Sequence, residues 1–413
     1  MENGDRGSSN YGWVTVAVAT LALVVSNGLA IGGLPPFYKS IREEFVGIGA
    51  VDATQAESFI ANCASMTFLM SGVFSLIGGW LVTRFRLKLL MIIGCVLLGS
   101  GLIIHCQAAT ANVVYFARVL MGASLGFIGV APCVVLVSRW FDENRGTALG
   151  IVLTGTSIGG FVIPLIAAPL IADFGWRCAM LAVSGLVWLV LLPAVVLLVR
   201  ESENRTHMSH RSHTTESLTL LQAVKTLIFW AFALCAALVF YPIFVTSQQF
   251  ILYLQSPKIG LTAATAAVAQ SALFAVSIGG KFLAGYLSDR FRTIIVMVMC
   301  ALVMFAATLV LLALTANNAL LFLLPFALGY GGTFVLLQRL ASELFGRRDI
   351  GKILGLITLM EVIGAAVGGR ITGYLADQNG GDYTYAFYGV TIAASLAFVT
   401  TILIYLLNKR ESV

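Results

Sequence analysis

The chain is expected to fold as an all-α membrane protein, with twelve transmembrane helices in two pseudo-symmetric six-helix bundles. Three observations carry this expectation. Apolar runs lie near residues 13–37, 56–82, 88–107, 113–138, 147–172, 178–199, 226–254, 263–287, 293–315, 318–340, 353–375 and 384–408. Hydrophobic residues make up 59% of the chain and charged residues only 11%, against about 25% charged in soluble domains. The third observation is a repeat of landmark residues at an offset of about 205.

The length of each run follows from the bilayer. A hydrocarbon layer about 30 Å thick needs roughly 20 helical residues at 1.5 Å each. Every backbone amide in that layer must find its partner within the chain, which selects helices. Twelve spans use about 240 residues at that length, so the connections are short. The longest polar stretch, 200–225, separates a first half (1–199) from a second (226–413).

Charge placement predicts the orientation. With both termini on the cytoplasmic side, 18 of the 25 Lys and Arg residues fall on inner segments. Lys39, Arg42, Arg177 and Lys258 fall on outer segments, and Arg118, Lys281 and Arg370 lie within spans. This positive-inside bias accounts for the net charge of +6 without a nucleic-acid partner. Residues 1–11 carry no short cleavable apolar segment, so the first span is expected to be the targeting signal. Seven cysteines without a CxxC spacing read as small packing residues, not metal ligands.

The two halves match residue by residue. Gly79-Trp80-Leu81 with Arg84-Phe85 corresponds to Gly285-Tyr286-Leu287 with Arg290-Phe291. Leu149-Gly150 corresponds to Leu354-Gly355, and Ile158-Gly159 to Ile363-Gly364. Parallel six-helix repeats with a site near the midplane are the architecture of the major facilitator superfamily, which this pattern resembles. Gly122, Gly126 and Gly129 in span four, and Gly329, Gly331 and Gly332 in span ten, suit close helix crossings. The run Gly285-Tyr-Leu-Ser-Asp289-Arg290-Phe-Arg292 is similar to the superfamily's cytoplasmic gating motif, which implies a latch built on Asp289 and Arg290. In the first half Thr83 replaces the acid, leaving Arg84 either in a weaker latch or as an interfacial anchor.

Four charges lie inside spans, where each costs about 2.5–3.5 kcal/mol on insertion scales and so asks for a compensating role. Glu361 lies near mid-depth in span eleven: a proton carrier, a partner for a lysine, or a structural tie. Lys281, beside Gly279 and Gly280 in span eight, suits an anionic substrate as a point charge, or snorkels to the inner surface. Arg118 in span four either steers anions or ties helices, and Arg370 snorkels or closes an outer salt bridge. Asn27, Tyr38, Thr154, Thr156, Tyr241, Gln248 and Gln249 are further polar groups at plausible cavity positions.

Several segments resemble the monocarboxylate transporter family and its relatives in the oxalate and formate antiporter branch. Span one ends Leu34-Pro-Pro-Phe-Tyr38-Lys39-Ser-Ile, similar to the family's Phe-Pro-Lys-Ser ending, whose lysine is tied to proton and substrate handling. Val137-Ser-Arg139-Trp-Phe, Arg145-Gly-Thr-Ala-Leu-Gly150 and Gly155-Thr-Ser-Ile-Gly-Gly160 resemble the family's loop and glycine-rich helix. Animal members carry an aspartate four residues before an arginine in span eight, where this chain has Ser277 and Lys281. The cation that would bind a carboxylate is kept, but the acid is not.

The resemblance implies a secondary transporter of small monocarboxylates such as lactate or pyruvate, coupled to a proton. Lys281 would hold the carboxylate, and Lys39 and Glu361 would couple protonation to closure. An anion antiporter exchanging oxalate and formate-like acids is the alternative. The expected setting is a bacterial cytoplasmic membrane, with a monomer, a small organic anion, protons and the lipid bilayer as partners. No cofactor is expected. His207, His210 and His213 sit in a Ser/Thr-rich linker without a further ligand, and the sequon Asn204-Arg-Thr206 falls on the inner side. The absence of a P-loop, of a Ser-His-Asp set and of a soluble signalling domain argues against an ATP-driven pump, an enzyme and a sensor. A cation-efflux pump is disfavoured because no acid beyond Glu57, at the edge of span two, lies inside the first six spans.

Overall fold

The computed structural model describes residues 3–81, 84–138, 140–141, 145–200, 218–313, 315, 318–346 and 349–411. Thr83, Arg139, the sequon and the three linker histidines lie outside the described residues. The described residues are almost entirely helical, in eleven continuous apolar stretches. These are Tyr11–Gly47, Ala53–Gly78, Leu87–Cys106, Ala111–Val137, Gly150–Leu198, Leu227–Leu254, Ala263–Arg290, Thr293–Ala313, Leu321–Phe345, Lys352–Gln378 and Thr384–Asn408. The fifth stretch holds two crossings. Its helix is interrupted at Gly175, with φ 76°, a left-handed conformation that glycine reaches without a Cβ penalty. Spans five and six run on either side of that residue, making twelve.

Grouped by contact, the chain forms two units, Met1–Ile41 with Leu69–His213, and Arg42–Phe68 with Thr214–Val413. The second unit thus includes the first part of span two. Its interior is aromatic: Phe250 packs on Phe322 and Phe387, with ring centroids 5.0 and 5.7 Å apart. Large apolar side chains such as Leu189, Leu227 and Leu321 point away from the protein, as lipid permits.

Span one departs from the expectation that it ends near residue 37. Its helix passes through a π-helical turn, Gly28–Gly32, then restarts as Pro35–Gly47. Gly33 N–H donates to the Gly28 carbonyl at 2.6 Å. A first-turn N–H has no partner within a helix, so Pro35 and Pro36 can begin the new segment at no hydrogen-bond cost. Lys39 therefore sits on a helix instead of in a loop. Gly28 and Gly159 pack with their backbones almost touching, which brings span five against the break. Span four is also divided, into Ala111–Ile128 and Val130–Ser138 about an extended Gly129.

Gly126 of span four and Gly329, Gly331 and Gly332 of span ten mark close crossings, whereas Gly129 meets only Leu125 of its own span. A Cβ on Gly126 would collide with the backbone of Phe74 in span two, and one on Gly329 or Gly332 would collide with span nine at Met304 or Cys300. At Gly331 the obstacle is the Ser277 carbonyl and the Lys281 amide of span eight. Backbone there cannot yield as a flexible side chain can. Gly331→Leu is expected to cost about 1–3 kcal/mol by overpacking, seen as a lower unfolding temperature in detergent. An unchanged temperature would mean that spans eight and ten separate freely.

Candidate functional site

In the second unit, span eight carries a polar line through an otherwise apolar helix. Gln270 and Lys281 are eleven residues apart, about three turns, and so share a face. Ser277 lies close to the same face and bonds its own helix at Phe274. Lys281 is 6% exposed, and its ammonium stands 4.9 Å from the centre of the Phe334 ring in span ten, a cation–π distance. Gly280 admits the span ten backbone at Leu328, whereas Gly279 faces open space.

Glu361 in span eleven is 3% exposed and accepts a hydrogen bond of 3.4 Å from Gln338 Nε2. Phe334 and Gln338 are four residues apart on span ten, one turn along one face. The same helix face therefore carries the ring under Lys281 and the amide on Glu361. That juxtaposition of a buried cation and a buried acid is not visible from spans eight and eleven read separately.

Span seven contributes Gln248 and Gln249, both buried. Gln249 donates to the Gly369 carbonyl at 3.2 Å, tying span seven to span eleven, while its Oε1 has no protein partner among the described residues. Gln270 Oε1, Ser271 Oγ and Thr246 Oγ1 are also buried without one among the described residues, whereas Thr372 meets the Tyr241 hydroxyl. Buried oxygens without protein partners in spans seven and eight suit water or a polar solute. Tyr241, half-buried, packs its ring against Gly368.

The start of span two and the end of span eleven form an ion cluster within this unit. Glu57 is paired with Arg42 and accepts from the Tyr383 hydroxyl at 2.6 Å. Asp377 accepts from the amides of Glu57 and Ser58, both at 2.9 Å, so its carboxylate caps the first turn of span two. Burial, and then the Glu57 charge, push the Tyr383 phenol well above its ordinary value, so it stays a donor. Close packing of Gly373 on Ala61 and Ser58 permits this approach. Arg370 donates to Asn62 Oδ1 at 2.9 Å, an amide and not the outer salt bridge considered from sequence.

In the first unit, Tyr38 is fully buried on the restarted helix of span one, and Lys39 beside it is half-buried. The Arg118 guanidinium lies 5.5 Å from the centre of the Tyr38 ring. Asn27 immediately precedes the π-helical turn and donates to Ser26 Oγ at 3.5 Å. Thr154 and Thr156 donate to the carbonyls of Ile151 and Leu153 in their own helix.

The family model described as Major Facilitator Superfamily matches residues 16–257 and 250–413. The chain belongs to the major facilitator superfamily. It is 28% identical over 303 residues to the MFS transporter asaE of Aspergillus flavus, covering 71% of this chain and 66% of that one. It is 25% identical over 410 residues to monocarboxylate transporter 12 of Mus musculus, covering 91% and 82%. A D-xylose-proton symporter has the same fold, with a TM-score of 0.74 at 16% identity over 96% of this chain and 97% of that one. A bacterial homolog of the human lysosomal transporter Spinster, inward-facing and unoccupied, gives 0.70 at 15% identity over 95% and 97%. The protein is therefore a multi-pass membrane transporter, not an enzyme, and its resemblance to the monocarboxylate transporter family extends over nearly the whole chain.

At the predicted inner end of the transporter's second unit, Asp289 pairs with Arg339 of span ten, not with its neighbour Arg290. Arg339 also meets Glu343 at 3.1 Å and donates to Ser288 Oγ at 2.9 Å. Arg290 instead stands over the Tyr286 ring at 4.4 Å. Helix geometry explains this: Asp289 and Arg290 diverge by about 100° around the axis, so only one can face span ten. A cavity of about 320 Å³ adjoins the network, lined by Ser288, Arg292, Thr293, Arg339, Glu343 and Asn408. It lies at the helix ends, whereas Lys281 is two turns deeper. Arg84 is exposed at the corresponding end of span two. Among the described residues, no group of three His, Cys, Asp or Glu could hold a metal.

Sequence reading missed Glu57, Tyr383, Asp377, Gln270 and Gln338. The three-turn spacing of Gln270 from Lys281 was a usable signal; the Glu57 cluster joins residues more than 300 positions apart and had none. Tyr383→Phe keeps the ring and deletes the donor to Glu57. It is expected to cost about 1.5–3 kcal/mol, as for hydrogen bonds to charged groups, read from unfolding of the purified transporter. No change would show that Arg42 alone satisfies the carboxylate.

Proposed function

We propose that the transporter carries small monocarboxylates of the lactate and pyruvate type together with a proton, by alternating access. The observation that carries this reading is the placement of a buried cation, Lys281, and a buried acid, Glu361, along one face of span ten. Lys281 attracts the carboxylate as a compact point charge. Glu361 takes and releases the proton, with Gln338 as its hydrogen-bond partner. The oxygens of Gln249, Gln270, Ser271 and Thr246 receive the polar remainder of the solute or its water. Lys39 couples the broken span one to protonation, and Asp289 with Arg339 closes the predicted inner end. The relatives named monocarboxylate transporter 12 support the substrate class.

The moving bodies are proposed to be the six-helix halves 1–199 and 226–413, joined by the linker 200–225. The transporter would work as a monomer in a cell membrane, with both termini on the cytoplasmic side. Neutralising Lys281 with substrate and Glu361 with a proton lowers the cost of closing the protein around buried charge.

The test is uptake of labelled lactate, pyruvate and oxalate into vesicles holding the purified protein, with and without an inward proton gradient. Gradient-driven accumulation of lactate or pyruvate is expected. Transport only from vesicles preloaded with an acid would replace the symporter with an anion exchanger, and no uptake of any of the three would remove the monocarboxylate reading. Lys281→Ala is expected to lower counterflow at least tenfold; unaffected counterflow sinks its role. Glu361→Gln should keep exchange but lose gradient-driven accumulation. Arg339→Gln should slow uptake several-fold, and Arg290→Gln should leave it within twofold of wild type.

A further inference from the structure

The first unit buries a guanidinium that pairs with no carboxylate among the described residues. Arg118 is 1% exposed, and among the described residues its Nε and Nη1 have no hydrogen-bond partner. Arg177 of the same unit shows what a structurally satisfied arginine looks like here. It donates to the carbonyls of Cys106 and Ala108 at 2.6 and 2.8 Å and stacks on Trp176 at 4.5 Å. Arg118 has an aromatic ring beside it but no such pair of acceptors. A guanidinium does not shed its proton in a protein, so the charge persists. Removing it from water without a partner is among the largest costs a fold can carry.

Acids are scarce in the spans around it. Residues 11–41 contain none, and residues 69–200 contain only Asp142, Glu143 and Asp173. Asp142 and Glu143 follow span four at its far end, outside the described residues, and Asp173 is exposed beside the Gly175 bend. Arg118 is seven residues into span four, roughly 10 Å from its start at 1.5 Å per residue. It is thus too deep to reach the surface as a freely snorkelling side chain and is fully covered.

Its surroundings are those of an anion receptor. Tyr38 brings a buried phenol against the guanidinium. The His105 ring lies within electrostatic reach of Arg118 and Arg177; its Nδ1 is 2.8 Å from Met180 Sδ, and its Nε2 has no partner. Tyr38 is carried by the segment that restarts after the π-helical turn, and interrupted helices are where secondary transporters place their solute contacts. A planar carboxylate fits the planar fork of an arginine, with two parallel hydrogen bonds that a lysine cannot make.

We propose that Arg118, backed by the Tyr38 ring, is a carboxylate-binding residue of the first unit and takes the anionic head of the transported acid. This rests on the monocarboxylate reading and gives the first unit a geometrically selective contact of its own for the carboxylate. The first part of the transporter thereby binds substrate directly.

The test is thermal unfolding of the purified transporter titrated with sodium lactate, sodium pyruvate, lactamide or sodium chloride at matched ionic strength. Lactate and pyruvate should raise the unfolding temperature saturably; lactamide, which lacks the charge, and chloride, which lacks the planar head, should not. Arg118→Gln should weaken the apparent affinity at least tenfold, Arg118→Lys should lose part of it, and Arg177→Gln should keep it. Equal affinity in Arg118→Gln overturns the proposal. If that variant does not purify, unchanged affinity in Arg118→Lys overturns it instead. A chloride effect equal to that of lactate reduces the site to an unselective anion contact and overturns the carboxylate assignment, as does the absence of any shift in wild type. Vesicle uptake separates the two readings. Lactate transport with an Arg118-independent shift leaves the transporter reading intact without this site, and an Arg118-dependent shift without transport leaves the site and removes the symporter.

Discussion

Water's absence from the hydrocarbon layer sets every other feature of this transporter. A backbone amide there has no solvent to turn to, so each span must close its own hydrogen bonds. Interruptions are then tolerable only where protein covers them. Span one breaks at Gly28–Gly33 beneath the close approach of Gly159, and span four opens at Gly129, whose amide still reaches the Leu125 carbonyl at 2.9 Å. The glycines serve two ends at once. They allow the chain to leave the helical path, and they let another helix come near enough to cover the exposed groups.

The same constraint sorts the buried charges. Arg177 finds two carbonyls at the end of span three, and Arg370 reaches an amide oxygen at the start of span two. Glu57 gathers a guanidinium and a phenol. These groups are held by partners supplied by the chain, and their removal should be felt as lost stability. Lys281 lies against an aromatic ring, Glu361 meets Gln338 and Thr358, and Arg118 leaves two guanidinium nitrogens without a hydrogen-bond partner among the described residues. Buried charge inside a membrane can also be compensated by a solute or a proton, which is how a transporter can link binding to a change of state.

The repeat also shows how two halves of common pattern acquire different chemistry. Gly79-Trp80-Leu81 and Gly285-Tyr286-Leu287 still mark equivalent helix ends. Yet the second copy has Asp289, which engages Arg339, whereas the first has Thr83 at the corresponding place. Buried acids lie in the spans of the second unit, at Glu57 and Glu361, while a span of the first holds the buried Arg118. Helix packing requires only small residues and apolar faces to repeat, so the polar positions are free to diverge.

Composition and run length alone pointed to the membrane setting and the twelve crossings, because hydropathy is a local property read directly from consecutive residues, and matched residues pointed to the internal repeat. The sequence also exposed Lys281, Glu361, Arg118 and Arg370 as charges in apolar surroundings. Their partners were not legible. Which residue faces Asp289 depends on the rotation of span eight against span ten, and the Glu57–Tyr383 contact depends on two spans meeting across 326 positions. The extension of span one to Gly47 turned on Pro35 and Pro36 starting a helix where they could equally have ended one. Tertiary structure decided these points because a side chain's partners are set by helix rotation and approach, and lipid, unlike water, leaves no substitute when the approach is wrong.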